Sequence, residues 1–381
     1  MKLERFQTGR VMLVAFSHFV HDVYTSFLSP LLPLIIEKLS LSLSQAGLMS
    51  TVMQTPALLN PVIGLFADNQ GLARWLVILA PTLTAFSMSL ILNAGSYALL
   101  LVLVFLAGIS VALYHVPSPV LVAKYSGDKK GRGMSIYMTG GEAARTVGPM
   151  FAVAAVSFLG QGRFYLVMGL AVLISVLLYF SLEKEEEKIS IKRKGSIKSA
   201  YDEIQHVLLP ITGVLAARSF MHATMGTFLT VFVEKETGSL WYAGAALALY
   251  EAFGVAGILC AGTLSDRVGR RRVLFWVLTV APVAILTFVF TIGWIKIVMV
   301  AIAGFTVLST TPVMLALVQE NAKKNPSAAN GLFMMASFFV RSVAVFLAGM
   351  IGDIAGLENM FIISALIGFF ALPFLLKLDH S

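Results

Sequence analysis

Hydrophobic residues fall into twelve long runs along this chain, and short polar stretches separate almost all of them. Each run holds about 20 residues, which at 1.5 Å per residue is the length of helix that crosses a bilayer. We therefore predict an all-α integral membrane protein with twelve transmembrane helices. The predicted spans are 11–36, 45–67, 74–93, 97–123, 133–158, 164–182, 207–232, 241–264, 273–292, 294–318, 328–350 and 359–377.

One long polar interruption divides the twelve runs into two sets of six. It covers 183–206 and carries most of the charge outside the spans. We predict an N-terminal six-helix bundle over 1–182, a cytoplasmic charged linker over 183–206 and a C-terminal six-helix bundle over 207–381. The later part of the linker places apolar side chains on one helical face, so it is either a helix lying on the membrane surface or a solvated linker.

Composition agrees with a membrane protein and excludes several other classes. Hydrophobic residues make up 58% of the chain and charged residues 13%, whereas soluble domains average about 25% charged. The single cysteine, Cys260, excludes an internal disulfide and a multi-cysteine metal site. The basic start resembles a signal peptide, but the apolar run after it is too long for one, so we expect it to remain as the first span.

Basic residues are distributed unequally between alternate loops. With the N-terminus in the cytoplasm, 4 of the 28 lysines and arginines fall on the opposite side, 3 fall inside spans and the remaining 21 are cytoplasmic. Such a bias sets the orientation of membrane proteins. The surplus is therefore topological rather than a nucleic-acid site, and we predict a plasma (inner) membrane protein with both termini in the cytoplasm.

Two loops repeat one pattern of glycine, aspartate and basic residues. The loop after the second span reads GLFADNQGLAR, and the loop after the eighth span reads GTLSDRVGRRR, 198 positions later. A repeat of this length, holding six spans, indicates two pseudo-symmetric bundles. The residues of the pattern are Gly64, Asp68, Gly71 and Arg74 in the first copy, and Gly262, Asp266, Arg267, Gly269, Arg270 and Arg271 in the second.

The repeated loop resembles the cytoplasmic loop motif of the major facilitator superfamily. The resemblance covers the whole chain, since twelve spans, a long central linker and a pseudo-repeat all agree with it, and it implies the major facilitator fold. It also implies a cytoplasmic gate in which the aspartate meets a helix N-terminus or an arginine. The alternative is a charged loop that only fixes topology. The first copy departs from the pattern, with Asn69 and Gln70 where a basic residue is usual.

Three further stretches resemble the fosmidomycin-resistance group of efflux proteins within that superfamily. They are SHFVHDVYTSFLSPLLP in the first span, YHVPSPVLVAK in the fourth and GMSIYMTGGEAARTVGP in the fifth. In the second stretch the group usually has His-Pro-Glu, whereas here Val116 and Pro117 follow His115. The resemblance implies export of a small drug-like compound in exchange for protons.

Ionisable residues deep in the predicted spans are the candidates for function, because an acid at mid-membrane costs about 2.5–3.5 kcal/mol. They occur in the first, fourth, fifth, seventh, eighth and eleventh spans. The proton-coupling candidates are Asp22, Glu142, Glu251 and His18. The candidates for binding a substrate are Arg218, Arg341, Arg145, His115, His222 and Tyr114, with the arginines for an anionic group and Phe228 as a further apolar contact.

Two spacings indicate which of these side chains meet. His18, Asp22, Thr25 and Ser29 form one polar stripe along the first span. Glu142 with Arg145, and Arg218 with His222, are three and four residues apart and lie on one helix face. The first pair is either a structural tie or part of the site, and a buried histidine satisfied by a neighbour is the plain alternative for His115 and His222.

One group of residues suits either a divalent transition-metal ion or a proton, namely His18, His21, Asp22, His115 and His222. Neighbouring positions such as His21 and Asp22 diverge on a helix, and histidine-rich cavities also serve protons, so we assign no metal and no cofactor. No ATP-binding motif is present in the sequence. We predict a proton-coupled exporter of a small drug-like or anionic compound, working by alternating access as a monomer in the bilayer.

Two alternatives stay open. One is a proton-coupled importer of an organic acid or a metal chelate. The other is not a transporter at all but an intramembrane metal-dependent enzyme or sensor built on the histidines. The expected partners are protons, a small-molecule substrate and lipid, without nucleic acid.

Overall fold

A computed structural model describes residues 6–60, 63, 72–127, 129–182, 197–322 and 326–378. Within these ranges the secondary structure consists of helices, and no strand occurs. The chain forms two compact units, one over 1–40 and 52–192 and the other over 41–51 and 193–381. Each unit is a bundle of helices with its own apolar interior.

The first unit contains the helices of the N-terminal half. Short 3₁₀ segments over Thr55–Leu59, Ile91–Asn93 and Gln161–Val167 extend some of them. The α-helices are α1 (Thr8–Thr25), α2 (Leu28–Leu39), α3 (Leu43–Gln54, whose first part belongs to the second unit), α4 (Ala73–Ser89), α5 (Tyr97–His115), α6 (Ser118–Tyr125), α7 (Lys130–Leu159) and α8 (Met168–Ser181).

The second unit contains the helices of the C-terminal half. Its core is formed by aliphatic side chains such as Ile211, Leu274 and Val313 together with Phe333. The α-helices are α9 (Ile197–Ala223), α10 (Leu229–Thr237), α11 (Leu240–Val268), α12 (Arg270–Phe290), α13 (Trp294–Asn321), α14 (Pro326–Ala355), α15 (Leu357–Phe369) and α16 (Ala371–Leu376).

Ten helical segments of the described chain are long and apolar enough to cross a membrane. The other two predicted spans, 45–67 and 133–158, coincide with α3 and α7. The span at α3 runs into positions that lie outside the described residues, and α7 is 30 residues long but carries charged side chains. The all-helical membrane fold predicted from the sequence is confirmed.

Prolines break the helices of the first unit near the predicted polar residues. A proline has no N–H to bond the carbonyl four residues earlier. Pro30 cannot bond Ser26, and the first span accordingly divides into α1 and α2. Pro119 cannot bond His115, and α5 ends at that histidine. In the second unit a π-helical turn, Thr224–Phe228, separates α9 from α10, a feature that often marks functional sites.

Two segments depart from simple sequence boundaries. Positions 41–51 come from the N-terminal half but pack with the second unit, where Asp353 accepts hydrogen bonds from the backbone N–H groups of Leu43 and Ser44. Helix α9 begins at Ile197, so the last part of the predicted linker is helical, and Ile204 is fully buried in the core. Positions 183–196 lie outside the described residues.

Candidate functional site

Three histidines surround the carboxylate of Asp22 inside the first unit. His21 Nδ1 lies 2.8 Å from Asp22 Oδ1, His18 Nε2 lies 3.2 Å from Oδ2, and His115 Nε2 lies 3.4 Å from Oδ1. The two Nε2 atoms of His18 and His115 are 3.3 Å apart. We refer to these four residues as the Asp22 cluster.

Three helices, α1, α5 and α7, position the side chains of the cluster. His18 and Asp22 are one turn apart on α1 and so project from one face, while His115 approaches from the broken end of α5. Helix α7 covers the cluster with Gly141, where a Cβ atom would lie 2.5 Å from His18 Cε1 and 2.7 Å from His18 Nε2. Any side chain at this position would therefore displace the ring of His18.

Most of the cluster is removed from solvent. The side chain of His21 is fully buried, and those of His18 and Asp22 are 5% and 12% exposed. His115 differs, because 36% of its side chain is exposed. His115 is therefore the most accessible member of the cluster.

The outward-facing nitrogens of His18 and His115 are both committed to backbone carbonyls. His18 Nδ1 lies 2.8 Å from the carbonyl oxygen of Tyr137, and His115 Nδ1 lies 3.1 Å from that of Val111. A carbonyl oxygen only accepts, so each Nδ1 must carry the proton and donate it. In the neutral rings, both Nε2 atoms consequently present lone pairs towards Asp22.

A chain of hydroxyl groups assigns the proton of His21. Ser110 donates to the carbonyl of Ala80 at 2.7 Å, so its hydroxyl can only accept from Thr84, at 2.6 Å. The Thr84 hydroxyl proton is then used, and its oxygen must accept from His21 Nε2, at 3.0 Å. The neutral His21 ring thus carries its single proton at Nε2, and its Nδ1 lone pair faces Asp22.

With all three rings neutral, the inner contacts of the cluster would lack protons. Three neutral imidazoles and an ionised carboxylate would oppose lone pairs at distances of 2.8–3.4 Å. A proton between His21 and Asp22 would turn their contact into a hydrogen bond. A second proton, or another cation, would do the same for the group formed by His18, His115 and Asp22. The cluster thus has two inner positions that suit a positive charge.

The other predicted residues of the first unit lie on the same helices. Glu142 and Arg145 form the expected pair on α7, with 3.4 Å between Oε2 and NH1. Tyr114 is fully buried. Its ring stacks on His21 at 4.4 Å, and its hydroxyl donates to the carbonyl of Val14. Tyr114 therefore packs against the cluster, and its contact with a substrate stays a prediction.

The predicted residues of the second unit lie on three of its helices and in its π-helical turn. Arg218 is buried on α9 and donates from Nε to the carbonyl of Val307 at 3.0 Å. His222 Nδ1 lies 3.2 Å from the hydroxyl of Tyr250. Glu251 on α11 and Arg341 on α14 are partly buried, and Phe228 is fully buried.

The repeated loop is described for its second copy. Arg270 pairs with Asp266 one turn earlier and with Glu320 at the end of α13, at 2.9 Å from the latter. Gly269 has a φ of 97°, a conformation that favours glycine. Arg271 donates to the carbonyl of Leu376, and Arg267 is exposed.

The first copy of the loop is described only in part, since Gly64, Asp68 and Gly71 lie outside the described residues. Its Arg74 donates to the carbonyls of Tyr179 and Leu182.

Sequence reasoning missed the residues that orient the histidines. Thr84, Ser110 and the backbone of Tyr137 bond to the cluster or to its partners, yet hydroxyl groups and carbonyls in apolar runs carry no distinctive pattern. Gly141 lies within the stretch GMSIYMTGGEAARTVGP, where nothing in the sequence marks it as a neighbour of His18. The spacing of His18 and Asp22 was the one local signal for the site.

The chain matches one family of known proteins along most of its length. The sequence model of the Major Facilitator Superfamily matches residues 14–238 and 211–381, which together cover nearly the whole chain. The fosmidomycin resistance protein of Escherichia coli (strain K12) is 25% identical over 369 residues, covering 94% of this chain and 89% of that protein.

Two further relatives agree. An uncharacterised MFS-type transporter of Bacillus subtilis (strain 168), YfnC, is 24% identical over 97% of this chain and 93% of its own length. A crystal structure of a bacterial homologue of the human lysosomal transporter Spinster superposes with a TM-score of 0.82 over 99% of both chains, at 14% identity. At that identity the structural match shows the fold.

Proposed function

Because the chain belongs to the major facilitator superfamily and is therefore a transporter of a small substrate, not an enzyme, we propose that it exports its substrate in exchange for protons. The observation that carries this proposal is the Asp22 cluster. Three neutral histidines cannot donate hydrogen bonds at its inner contacts, so these contacts require additional protons. A site that must gain and lose a proton to change its hydrogen bonds is suited to coupling.

The coupling step takes place at Asp22. His115 is the exposed member of the cluster and receives the proton from solvent, and the adjacent His18 and Asp22 pass it inwards. Glu142 and Glu251 remain competitors, but Glu142 is already paired with Arg145. Protonation of Asp22 favours the conformation opposite to that which binds the substrate, as alternating access requires.

The substrate is a small drug-like or anionic compound. Support comes from the relative named for fosmidomycin resistance and from the buried Arg218, on the helix that leads into the π-helical turn. A buried guanidinium suits a carboxylate or phosphonate, because it offers several donors in a planar arrangement. Arg341 and His222 are the further candidates for contact with this group, and Arg145 and His115 are the candidates in the first unit.

The loop charges support an orientation with both termini in the cytoplasm, since 21 of the 28 basic residues then face that side. The proposed setting is a monomer in the plasma (inner) membrane. The Asp266–Arg270–Glu320 network belongs to the cytoplasmic gate.

Liposomes that contain the purified protein, a pH-sensitive dye and fosmidomycin test the proposal. With an acidic exterior, we expect fosmidomycin to leave and the lumen to acidify as it does. Asp22→Asn should retain exchange of labelled for unlabelled fosmidomycin but lose proton movement. If Asp22→Asn keeps proton-driven efflux with an unchanged pH dependence, the coupling assignment is wrong.

The same experiment separates export from the second candidate, import of an organic acid or a metal chelate. One observation favours that candidate, namely a set of side chains in the cluster that could hold a metal ion. A symporter moves protons and substrate in the same direction, so the lumen would become more alkaline as the substrate leaves.

A further inference from the structure

Three side chains of the Asp22 cluster point lone-pair atoms at one position. These are His18 Nε2, His115 Nε2 and the carboxylate of Asp22. The separations are 3.3 Å between the two nitrogens, 3.2 Å from His18 to Oδ2 and 3.4 Å from His115 to Oδ1. From these distances, we propose that His18, Asp22 and His115 bind one divalent transition-metal ion.

The separations fit the coordination geometry of such an ion. Zinc lies about 2.0–2.1 Å from histidine nitrogens and about 2.0–2.2 Å from carboxylate oxygens. Two ligand atoms 3.2–3.4 Å apart then subtend about 100–110° at the metal. Each of these angles is close to the tetrahedral angle. The two oxygens of Asp22 face different histidines, so a rotation of the carboxylate brings one of them to the shared ion.

The surroundings orient both histidine ligands. Metal-binding histidines commonly donate their other N–H to a carbonyl or a carboxylate. His18 does so to Tyr137 and His115 to Val111, which fixes both Nε2 atoms as ligands. His21 Nδ1 lies 2.8 Å from Oδ1 of Asp22 and donates to it when the His21 ring carries a second proton. The two imidazole ligands are therefore oriented by hydrogen bonds before any ion arrives.

The donor types select the class of ion. Two imidazoles and one carboxylate favour zinc, cobalt, nickel or copper(II) over magnesium or calcium, which prefer oxygen ligands. Among the described residues three side chains form the donor set, and 36% of the His115 side chain is exposed. A fourth position is thus left for water or another small ligand.

This inference goes beyond the proposed function, because it concerns a second occupant of the cluster and does not require proton coupling. The ion takes the position between His18, His115 and Asp22 that a proton would otherwise fill. Ligand histidines must be free of a proton at the bonding nitrogen, so metal and proton exclude each other there. Metal bound at this position would block coupling.

Cobalt(II) titration of the purified full-length protein in detergent tests the site after treatment with a chelator. A non-histidine affinity tag avoids a false signal. We expect one cobalt ion per chain, visible absorption bands typical of tetrahedral cobalt, and displacement by zinc. His115→Gln and Asp22→Asn should each weaken binding at least tenfold. The exposed His206, which bonds to Asn321 at 3.2 Å, provides the matched control, and His206→Gln should bind cobalt normally.

Absence of stoichiometric cobalt binding in the wild type, or binding that survives in His115→Gln, would overturn the inference. His115 is partly exposed, so its variant remains informative even if Asp22→Asn unfolds. Transport assays in the presence of chelator keep the two proposals separate. Coupling without metal binding removes only the metal site, whereas metal binding without coupling removes only the proposed proton role.

Discussion

The Nδ1 atom of His21 lies 2.8 Å from Oδ1 of Asp22, although the one proton of the neutral His21 ring is committed to Thr84 at the other nitrogen. Thr84 can only accept from His21, because its own proton goes to Ser110, and Ser110 in turn donates to the carbonyl of Ala80. Two neighbouring residues on one helix are thus placed so that their contact depends on an additional proton.

Replacing Thr84 by valine should make the His21–Asp22 contact independent of that proton. Without the hydroxyl, the neutral ring can carry its proton at Nδ1 and donate it to Asp22. A hydrogen bond contributes about 1 kcal/mol and one pH unit corresponds to 1.36 kcal/mol. We expect the pH of half-maximal proton-driven efflux in liposomes to fall by about one unit.

Thr82 offers a control for this experiment on the same helix. Its hydroxyl donates to Ser175 at 2.8 Å, away from the cluster. Thr82→Val should leave the pH profile in place. An equal shift in both variants would mean that the change reflects general loosening of α4 rather than the protonation of the cluster.

Gly141→Ala should disrupt the cluster sterically. The added Cβ would meet His18 Cε1 at 2.5 Å, so the ring must move away from Asp22 and from the carbonyl of Tyr137. Overpacking of this kind costs about 1–3 kcal/mol. We expect a lower thermal-unfolding midpoint and a loss of proton-driven transport.

Gly226 provides a control in the second unit, because it also lies near a histidine. There an added Cβ would lie 3.6 Å from the nearest atom of His222, an ordinary contact. Gly226→Ala should therefore unfold near the wild-type temperature and transport normally. If the two variants behave alike, close approach of α7 to His18 is not what the glycine provides.

Substitution of Arg218 should weaken binding of an anionic substrate. Arg218→Gln removes the buried positive charge, and we expect the dissociation constant for fosmidomycin to rise at least about tenfold, or about 1.4 kcal/mol. Arg218→Lys keeps the charge and should retain part of the affinity. The exposed Arg272 is the control, and unchanged affinity in Arg218→Gln would place the anion site elsewhere.

Asp353→Asn should loosen the segment over 41–51 from the second unit. The carboxylate accepts from the N–H groups of Leu43 at 2.6 Å and Ser44 at 2.9 Å, at the start of α3. Loss of such a cap costs about 0.5–2 kcal/mol, which a thermal-unfolding series can detect. Glu37→Gln removes another exposed carboxylate, on α2, and should have no effect. Equal stability of both variants would show that the Asp353 cap contributes little.

Much of the fold could be predicted from the sequence, because a bilayer imposes long apolar helices and basic loops leave a clear imbalance. The packing of the 41–51 segment could not be predicted from the sequence. The segment belongs to the N-terminal half of the chain, but it packs on α14. Gly47 and Gly349 allow close approach of the two backbones, and Thr51 donates a hydrogen bond to the carbonyl of Ser342. Those contacts link positions about 300 residues apart.

The candidate site divides in the same way. The sequence by itself determined that His18 and Asp22 share a face of one membrane helix, because 3.6 residues per turn makes that a local matter. Only the tertiary structure decided that His115 completes the group and that Tyr137, Val111 and Thr84 take the outer protons of the three rings. A histidine's protonation depends on the partner of each nitrogen, and those partners come mainly from other helices, through packing that no local pattern encodes.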